Sequence, residues 1–535
     1  MLLWRRINCV QLSLFFFFVS FYFFTNAGWY QSGDEVAMVK VAKKIVRAGQ
    51  IGLELDETAR EPEDDLVRGR SGYYYYKFGL GQPLVEVPFL FLHQLFFQPL
   101  LFMSGSDNPV GDYSMSELLF LLLCPSLISA LGCVLIYRFA HLLTFSKGTS
   151  FGLALIYGLG TMAWPYSKSL MSETILNVAI LGGVYAAVGY KLTARRRWLI
   201  LSGTLMGFAF ITKSISAVVF PILIAYLLFA APPRRVLRDL VLCFGMPVMV
   251  FVGIQGCHNF IRYDSFFEFG YGFGWDHLGF STPLSVGLWG LLLSPGKSLF
   301  LYSPVILLGL FSFRRFLDTR RSEALLFLGI ILAFILPHAS WWAWSGDRAW
   351  GPRFLLPIIP YFIFPLGCFI ESWTQRSRLY RRLCISLAAF SIGIQILGVA
   401  IDPQQLPRYR QRMLGELTDS HGMSPRLLFF DLSYVHFNPE LSHIMGNYWL
   451  LKHMLFSYDL WSDPPWKMIR KFGLTNSRAA EEEKVVPFWW PVAFPLISSP
   501  SLKWVFPLAV FNLLMAVFWG LRLWVTSNKG RGSPA

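Results

Sequence analysis

The feature that most constrains this chain is its alternation of apolar runs of membrane-crossing length with short loops rich in arginine. A hydrocarbon layer about 30 Å thick is crossed by about 20 apolar residues in a helix, fewer where the helix is kinked or re-entrant. Runs of this kind fall near Ile7–Ala27, Leu118–Leu143, Thr149–Trp164, Thr174–Leu192, Leu199–Ile211 and Ile215–Ala231. They continue near Val236–Ile254, Phe300–Phe313, Ala324–His338, Phe354–Trp373, Leu383–Ile401 and Val505–Val525. Of the 535 residues, 54% are hydrophobic and 15% charged, against about 25% charged in a soluble domain. A water-soluble core has no use for so much apolar surface, so the bilayer must take part of it. The expected fold is an all-α polytopic membrane protein, a bundle of roughly twelve transmembrane helices.

Orientation follows from the basic loops. Lys147, Arg195 to Arg197, Arg234, Arg235, Arg238, Arg314, Arg315, Arg320 and Arg321 fall on alternate loops. Arg376, Arg378, Arg381, Arg382, Lys529 and Arg531 continue the series on the side of Arg5 and Arg6. Positively charged loops stay in the cytoplasm, which puts the amino terminus there and the long regions 28–82 and 402–503 outside. Pro83 to Met103 is apolar enough to cross, but crossing inverts every later loop. It is therefore expected as a re-entrant or interface-lying segment on the external side. Met1 to Ala27 reads as a retained first span, since its apolar run is long for a signal peptide.

The net charge of +15 does not point to nucleic acid, because the basic residues sit at the ends of apolar runs, where anionic lipid and topology account for them. All seven cysteines lie in or beside apolar segments, which argues against a disulfide framework or a thiolate zinc site. His421, His436, His443 and His453 match no metal-ligand spacing and read as surface histidines.

In the short external loops the basic residues are Lys168, Lys213, Arg262, Lys297, Arg348 and Arg353. Positive charge there runs against the topological trend. Either these groups snorkel or pair with carboxylates, or several converge on an anionic headgroup. Arg353 stands out: it follows Gly351 and Pro352 at a helix start, where a cation opposes the helix dipole unless it shares a phosphate with the free N–H groups. The tryptophans around it, Trp341, Trp342, Trp344 and Trp350, read as interface anchors before sugar platforms.

Directly after the first run comes Ser32-Gly33-Asp34-Glu35, leading into an amphipathic pattern. Lys40, Lys43, Lys44 and Arg47 form one stripe, Met38, Val41, Ala42, Ile45 and Val46 lie opposite, and Gly49 is a helix stop. This predicts a helix on the membrane plane. Asp34 and Glu35 point about 100° apart, so they serve different purposes. One reading makes Asp34 an N-cap; the other makes one carboxylate a general base for a hydroxyl presented at the surface. Lys77, after Tyr73 to Tyr76 and before Gly79 and Gly81, can reach a phosphate. Glu173 either pairs with Lys168 or joins Asp34 around a site or metal.

Taken in order, Gly33-Asp34-Glu35, Tyr76-Lys77-Phe78-Gly79, Ser172-Glu173, His258-Asn259-Phe260-Ile261-Arg262-Tyr263, Leu293-Ser294-Pro295-Gly296-Lys297 and Trp350-Gly351-Pro352-Arg353-Phe354 form a pattern. It resembles the GT-C class of membrane glycosyltransferases, closest to the bacterial relatives of protein O-mannosyltransferases and aminoarabinose transferases. The resemblance covers the chain to about Trp373. It implies a polyprenyl-phosphate sugar donor, an inverting transfer and an active site on the external face of the plasma membrane. By position it implies Asp34, with Glu35 and Glu173, as the catalytic carboxylates, Asp34 being the base and Glu173 supporting the acceptor or a metal. Lys77 and Arg353 are implied to hold the donor phosphate, with Arg262, Lys297 and Lys168 as further candidates.

The expected organisation is a GT-C-like transmembrane module over 1–401, an extracytoplasmic region of unknown fold over 402–503 and a last helix with a cytoplasmic tail over 504–535. No organic cofactor is expected, and a divalent metal is left open. The expected partners are the polyprenyl-phosphate donor, a lipid, glycan or protein acceptor, and membrane lipids. The competing reading is a transporter or lipid flippase, which calls for inverted repeats and ionisable groups at the bilayer midplane.

Overall fold

The structure is a computed structural model; it describes residues 9–26, 30, 32–54, 66–96, 115–231, 236–272, 274–346, 349–401, 436–439, 442–456 and 505–529. Most of the region 402–503 therefore lies outside the described residues, as do Arg348, His421 and the segment Phe97 to Met103. The chain is an all-α, multi-pass membrane protein. Its helices are α1 (Cys9–Phe24), α2 (Gly33–Ala48), α3 (Gly81–Phe96), α4 (Met115–Leu142), α5 (Lys147–Gly160), α6 (Ser172–Thr193), α7 (Arg196–Thr212) and α8 (Val219–Ala230). Then follow α9 (Met246–Tyr263), α10 (Leu284–Leu293), α11 (Ile306–Thr319), α12 (Arg321–Ser340), α13 (Ile359–Glu371), α14 (Arg378–Ala400), α15 (His443–Phe456) and α16 (Val505–Lys529). A two-stranded antiparallel hairpin, β1 (Leu66–Arg68) and β2 (Tyr74–Tyr76), pairs Leu66 with Tyr76.

Each of the twelve expected runs coincides with helix. Among the described residues, six helical segments are long and apolar enough to cross a membrane: Glu117–Leu142, Ser172–Thr193, Val236–Tyr263, Arg321–Ser340, Arg353–Glu371 and Arg378–Ala400. Shorter apolar helical stretches are Cys9–Phe24, Ser214–Ala230, Leu284–Leu293 and Leu508–Arg522. The run Phe300–Phe313 is broken, because Ser303 and Pro304 separate the turn Leu299–Tyr302 from α11. In Val236–Tyr263 a π-turn spans Leu240–Gly245 just before Pro247, whose missing N–H leaves the regular ladder one donor short. The sequence reading did not contain α10; at ten residues it reaches only about 15 Å.

Helices α6 and α13 are the inner members of the bundle, buried along most of their length, and α11 packs tightly on α13. That contact needs Gly309, where any Cβ collides with the Phe362 carbonyl. Helix α3 presents Gln82, Glu86, Leu90 and His93 to α2 and α4 and leaves Leu84, Phe91, Leu92, Leu95 and Phe96 exposed. Its buried side is thus largely polar and its exposed side apolar.

Candidate active site

Helix α2 forms as its pattern demands and stops at Gly49, which adopts the left-handed conformation with φ 63°. Its cap is a correction. Ser32, not Asp34, is the N-cap: its side chain accepts the Glu35 N–H at 3.3 Å. With the cap supplied by serine, the Asp34 carboxylate is available to other partners. The basic stripe also does more than meet the membrane surface, since Lys43 is buried and pairs with Glu117 of α4 at 2.5 Å.

The two neighbouring acids part as the helical angle requires. Asp34, 40% exposed in its side chain, accepts a hydrogen bond from Arg353 Nη1 at 3.1 Å. Glu35 turns inward, is 1% exposed and accepts the Ser169 hydroxyl. Below it, Gln82 of α3 donates to Glu86 at 2.9 Å and to the Leu170 carbonyl, tying α3 to the turn that precedes Glu173. Burial pushes the Glu86 carboxyl well above the usual range, against the opposing Gln82 hydrogen bond and with a smaller push from the Glu35 charge.

Glu173 opens α6 and is almost fully buried. Lys213 Nζ lies 2.6 Å from its Oε1, and Arg353 Nε lies 3.8 Å from the same atom. Of the two expected alternatives the structure therefore takes the second, placing Glu173 with the Asp34 group and not with Lys168. Lys213 ends α7 in an extended conformation, and both it and Arg353 pack over the Phe354 ring, at 4.5 and 5.0 Å. Met171 Sδ lies 3.6 Å from Arg353 Nη1. Gly346, with φ +68°, leaves room for the Arg353 stem, since a Cβ added there would lie 2.7 Å from the arginine Cγ.

Lys77 follows β2 and pairs with Asp276 at 2.8 Å. Its loop leans on the end of α7, with Gly79 and Gly81 packed against Thr212, the residue before Lys213. Arg262, Lys297 and Lys168, expected as further candidates for the donor phosphate, are hydrogen-bonded to backbone carbonyls. Arg262 donates to the Tyr76 and Phe78 carbonyls and to Asn259, each at 2.9 Å, and so props the Lys77 loop from beneath. Lys297 donates to the Ala349 and Gly351 carbonyls at 2.7 and 3.2 Å and fixes the turn leading to Arg353. Lys168 donates to the Val399 carbonyl at 2.8 Å. All three are buried, and carbonyl oxygens at element ends and in loops supply part of what a buried cation requires. A small pocket between α2 and the Lys77 loop is lined by Met38, Val41, Phe78, Leu80, His258 and Arg262, so it lies beside this loop and not over Asp34.

The structure thus joins Asp34, Glu173 and Arg353, adds Lys213, and sets Lys77 nearby. Lys213 belonged to the basic residues that topology expects on the external side but had no role assigned; the signal was its place at the helix end away from the arginine-rich loops. Asp276 gave no signal. Among the described residues no three His, Cys, Asp or Glu side chains gather to hold a metal ion.

No protein-family profile matches the chain, and no curated protein is similar to it. Among solved structures, the crystal structure of ArnT from Cupriavidus metallidurans bound to undecaprenyl phosphate is similar, with a TM-score of 0.47 and 14% identity. The alignment covers 96% of this chain and 76% of that one. A likeness of this depth assigns neither a family nor an activity.

Proposed function

We propose that the chain transfers a sugar from a polyprenyl-phosphate-linked donor to an acceptor hydroxyl or amine on the face opposite its arginine loops. The observation that supports this most is the meeting of a half-exposed carboxylate, Asp34, with Arg353, which in turn neighbours the Glu173–Lys213 pair. Asp34 is the one carboxylate of the group open enough to take a proton from an acceptor. Arg353, Lys213 and, across the Gly79–Gly81 loop, Lys77 supply fixed positive charge for a departing phosphate.

In the reaction, the bond between the anomeric carbon and the phosphate oxygen breaks, and its electron pair leaves with the polyprenyl phosphate. The acceptor forms the new bond from the opposite side and gives its proton to Asp34, which inverts the anomeric centre. A phosphate leaving group needs charge stabilisation more than protonation, which suits arginine and lysine at low local dielectric. Glu173 holds the two cations together, so their mutual repulsion does not open the site.

The test is direct. Purified protein in lipid nanodiscs is given a panel of polyprenyl-phosphate sugars with candidate acceptors. Release of polyprenyl phosphate coupled to glycosylated product from at least one donor is expected. No turnover of any donor, with protein that is folded and monodisperse, contradicts the reading.

A further inference from the structure

The pairing of Lys77 with Asp276 is built unevenly. Asp276 is 6% exposed, and its second oxygen accepts the Trp342 indole N–H at 3.0 Å. The segment that carries it is stapled to the end of α12: the Trp342 amide donates to the Gly279 carbonyl at 2.9 Å, the Thr282 amide to the Ser340 carbonyl at 3.0 Å, and the Thr282 hydroxyl to the Trp341 carbonyl at 2.9 Å. The carboxylate is therefore fixed. Lys77 carries its charge on a flexible four-carbon stem. If the pair opens, the lysine is the member that moves.

We propose that Asp276 is the resting counter-ion of Lys77, and that Asp276 and the polyprenyl phosphate exchange places on this lysine during each turnover. The inference rests on the assignment of Lys77 to the donor phosphate made above. Asp276 touches no reacting atom in this scheme; it is a positioning residue. A lysine without this competing carboxylate holds a phosphate that reaches it more tightly, including that of the spent carrier. A fixed carboxylate within 2.8 Å competes with that phosphate and returns the lysine to the empty site once the carrier leaves. Apparent affinity falls by the fraction of time the lysine is free, so removing the competitor tightens binding and slows release.

Undecaprenyl phosphate is titrated into nanodisc-held wild type, Asp276→Asn, Lys77→Met and the double variant. The asparagine keeps the size of the side chain and an acceptor for Trp342, and Asp276→Ser is a second variant that removes the charge by another route. Both single changes at Asp276 are expected to bind undecaprenyl phosphate roughly tenfold more tightly than wild type. Lys77→Met is expected to weaken binding, and the double variant to bind no more tightly than Lys77→Met alone, because the competition has lost its object. In turnover, Asp276→Asn is expected to lower KM and kcat together, as slow release dictates. If Lys77→Met weakens binding while Asp276→Asn and Asp276→Ser bind like wild type or more weakly, the exchange is wrong although Lys77 holds the phosphate. If wild type and Lys77→Met bind equally, the fault lies in the Lys77 assignment itself, and the exchange falls with it.

Discussion

The two rims of the bundle use the same residue types to different ends. At the arginine-rich rim, Glu323 takes Lys191 at 2.5 Å and the Tyr226 hydroxyl at 2.9 Å on one oxygen, and Ser322 at 3.0 Å on the other. Asp239 takes Arg196 at 2.8 Å on one oxygen and Tyr190 at 3.0 Å on the other. Each carboxylate is served on both oxygens by a cation and hydroxyl groups, which staples α6 and α7 to their neighbours. At the opposite rim, about 33 Å away along the 22 residues of α6, the arrangement stays open. Asp34 is 40% exposed, and Glu173 is shared by two cations on one oxygen, with the Ser172 hydroxyl at a long 3.5 Å on the other. Closed pairs hold helices; an open cluster keeps charge on offer to a ligand.

Mutations break this contrast in graded ways. Arg353→Ala removes the group that bridges Asp34 and Glu173 and is expected to cost about 10²–10³ in rate, with elution and helicity unchanged, measured as polyprenyl phosphate release. Lys213→Met takes away one of the two cations on Glu173 while Arg353 stays. It is expected to lower the rate roughly tenfold, less than Arg353→Ala, in the same assay. Glu323→Ala, at the closed rim, leaves Lys191 without its carboxylate and is expected to destabilise the fold by on the order of 3 kcal/mol, read by thermal unfolding in detergent. Its rate per folded molecule is expected to match wild type. A comparable loss of rate from both rims removes the distinction.

The smallest effect concerns Glu86, whose carboxyl is raised well above the usual range by burial, against the Gln82 hydrogen bond and with a smaller push from Glu35. Between the unfolded and folded values the native state holds a proton that the unfolded chain has lost. Stability is therefore full below the unfolded value and falls as pH rises toward the folded one. Glu86→Gln removes this slope, so the variant is expected to gain stability over wild type progressively with increasing pH. A difference in Tm that does not change with pH refutes it.

How much of this was legible in the sequence depended on the range of the interaction. Helical runs announce themselves through local hydrophobicity, and the stop at Gly49 through local chemistry, so the helices emerged nearly where they lie. Helix α10 escaped because ten apolar residues fall short of any span. The site was half legible: Arg353 stood out as positive charge at a helix start on the side away from the arginine loops, and Asp34 and Glu173 as carboxylates at helix starts, yet they lie more than a hundred residues apart. Arg262, Lys297 and Lys168 carried the same anomaly for a different reason. They satisfy carbonyls at the end of a strand, in a helix's last turn and in a loop elsewhere in the chain, those of Tyr76, Val399 and Ala349, and no local pattern reveals which carbonyls a fold leaves open. Lys77 and Asp276 show the same limit, being joined across 199 positions.

The claim on which the rest depends is that Asp34 takes a proton while the neighbouring cations receive a phosphate. It is tested by comparing Asp34→Asn with wild type in transfer from an accepted polyprenyl-phosphate sugar, alongside binding of undecaprenyl phosphate by both. The account predicts a fall in kcat of about 10²–10⁴, with binding of the lipid phosphate kept or strengthened once Arg353 loses its acidic partner. Equal transfer by the two proteins contradicts it.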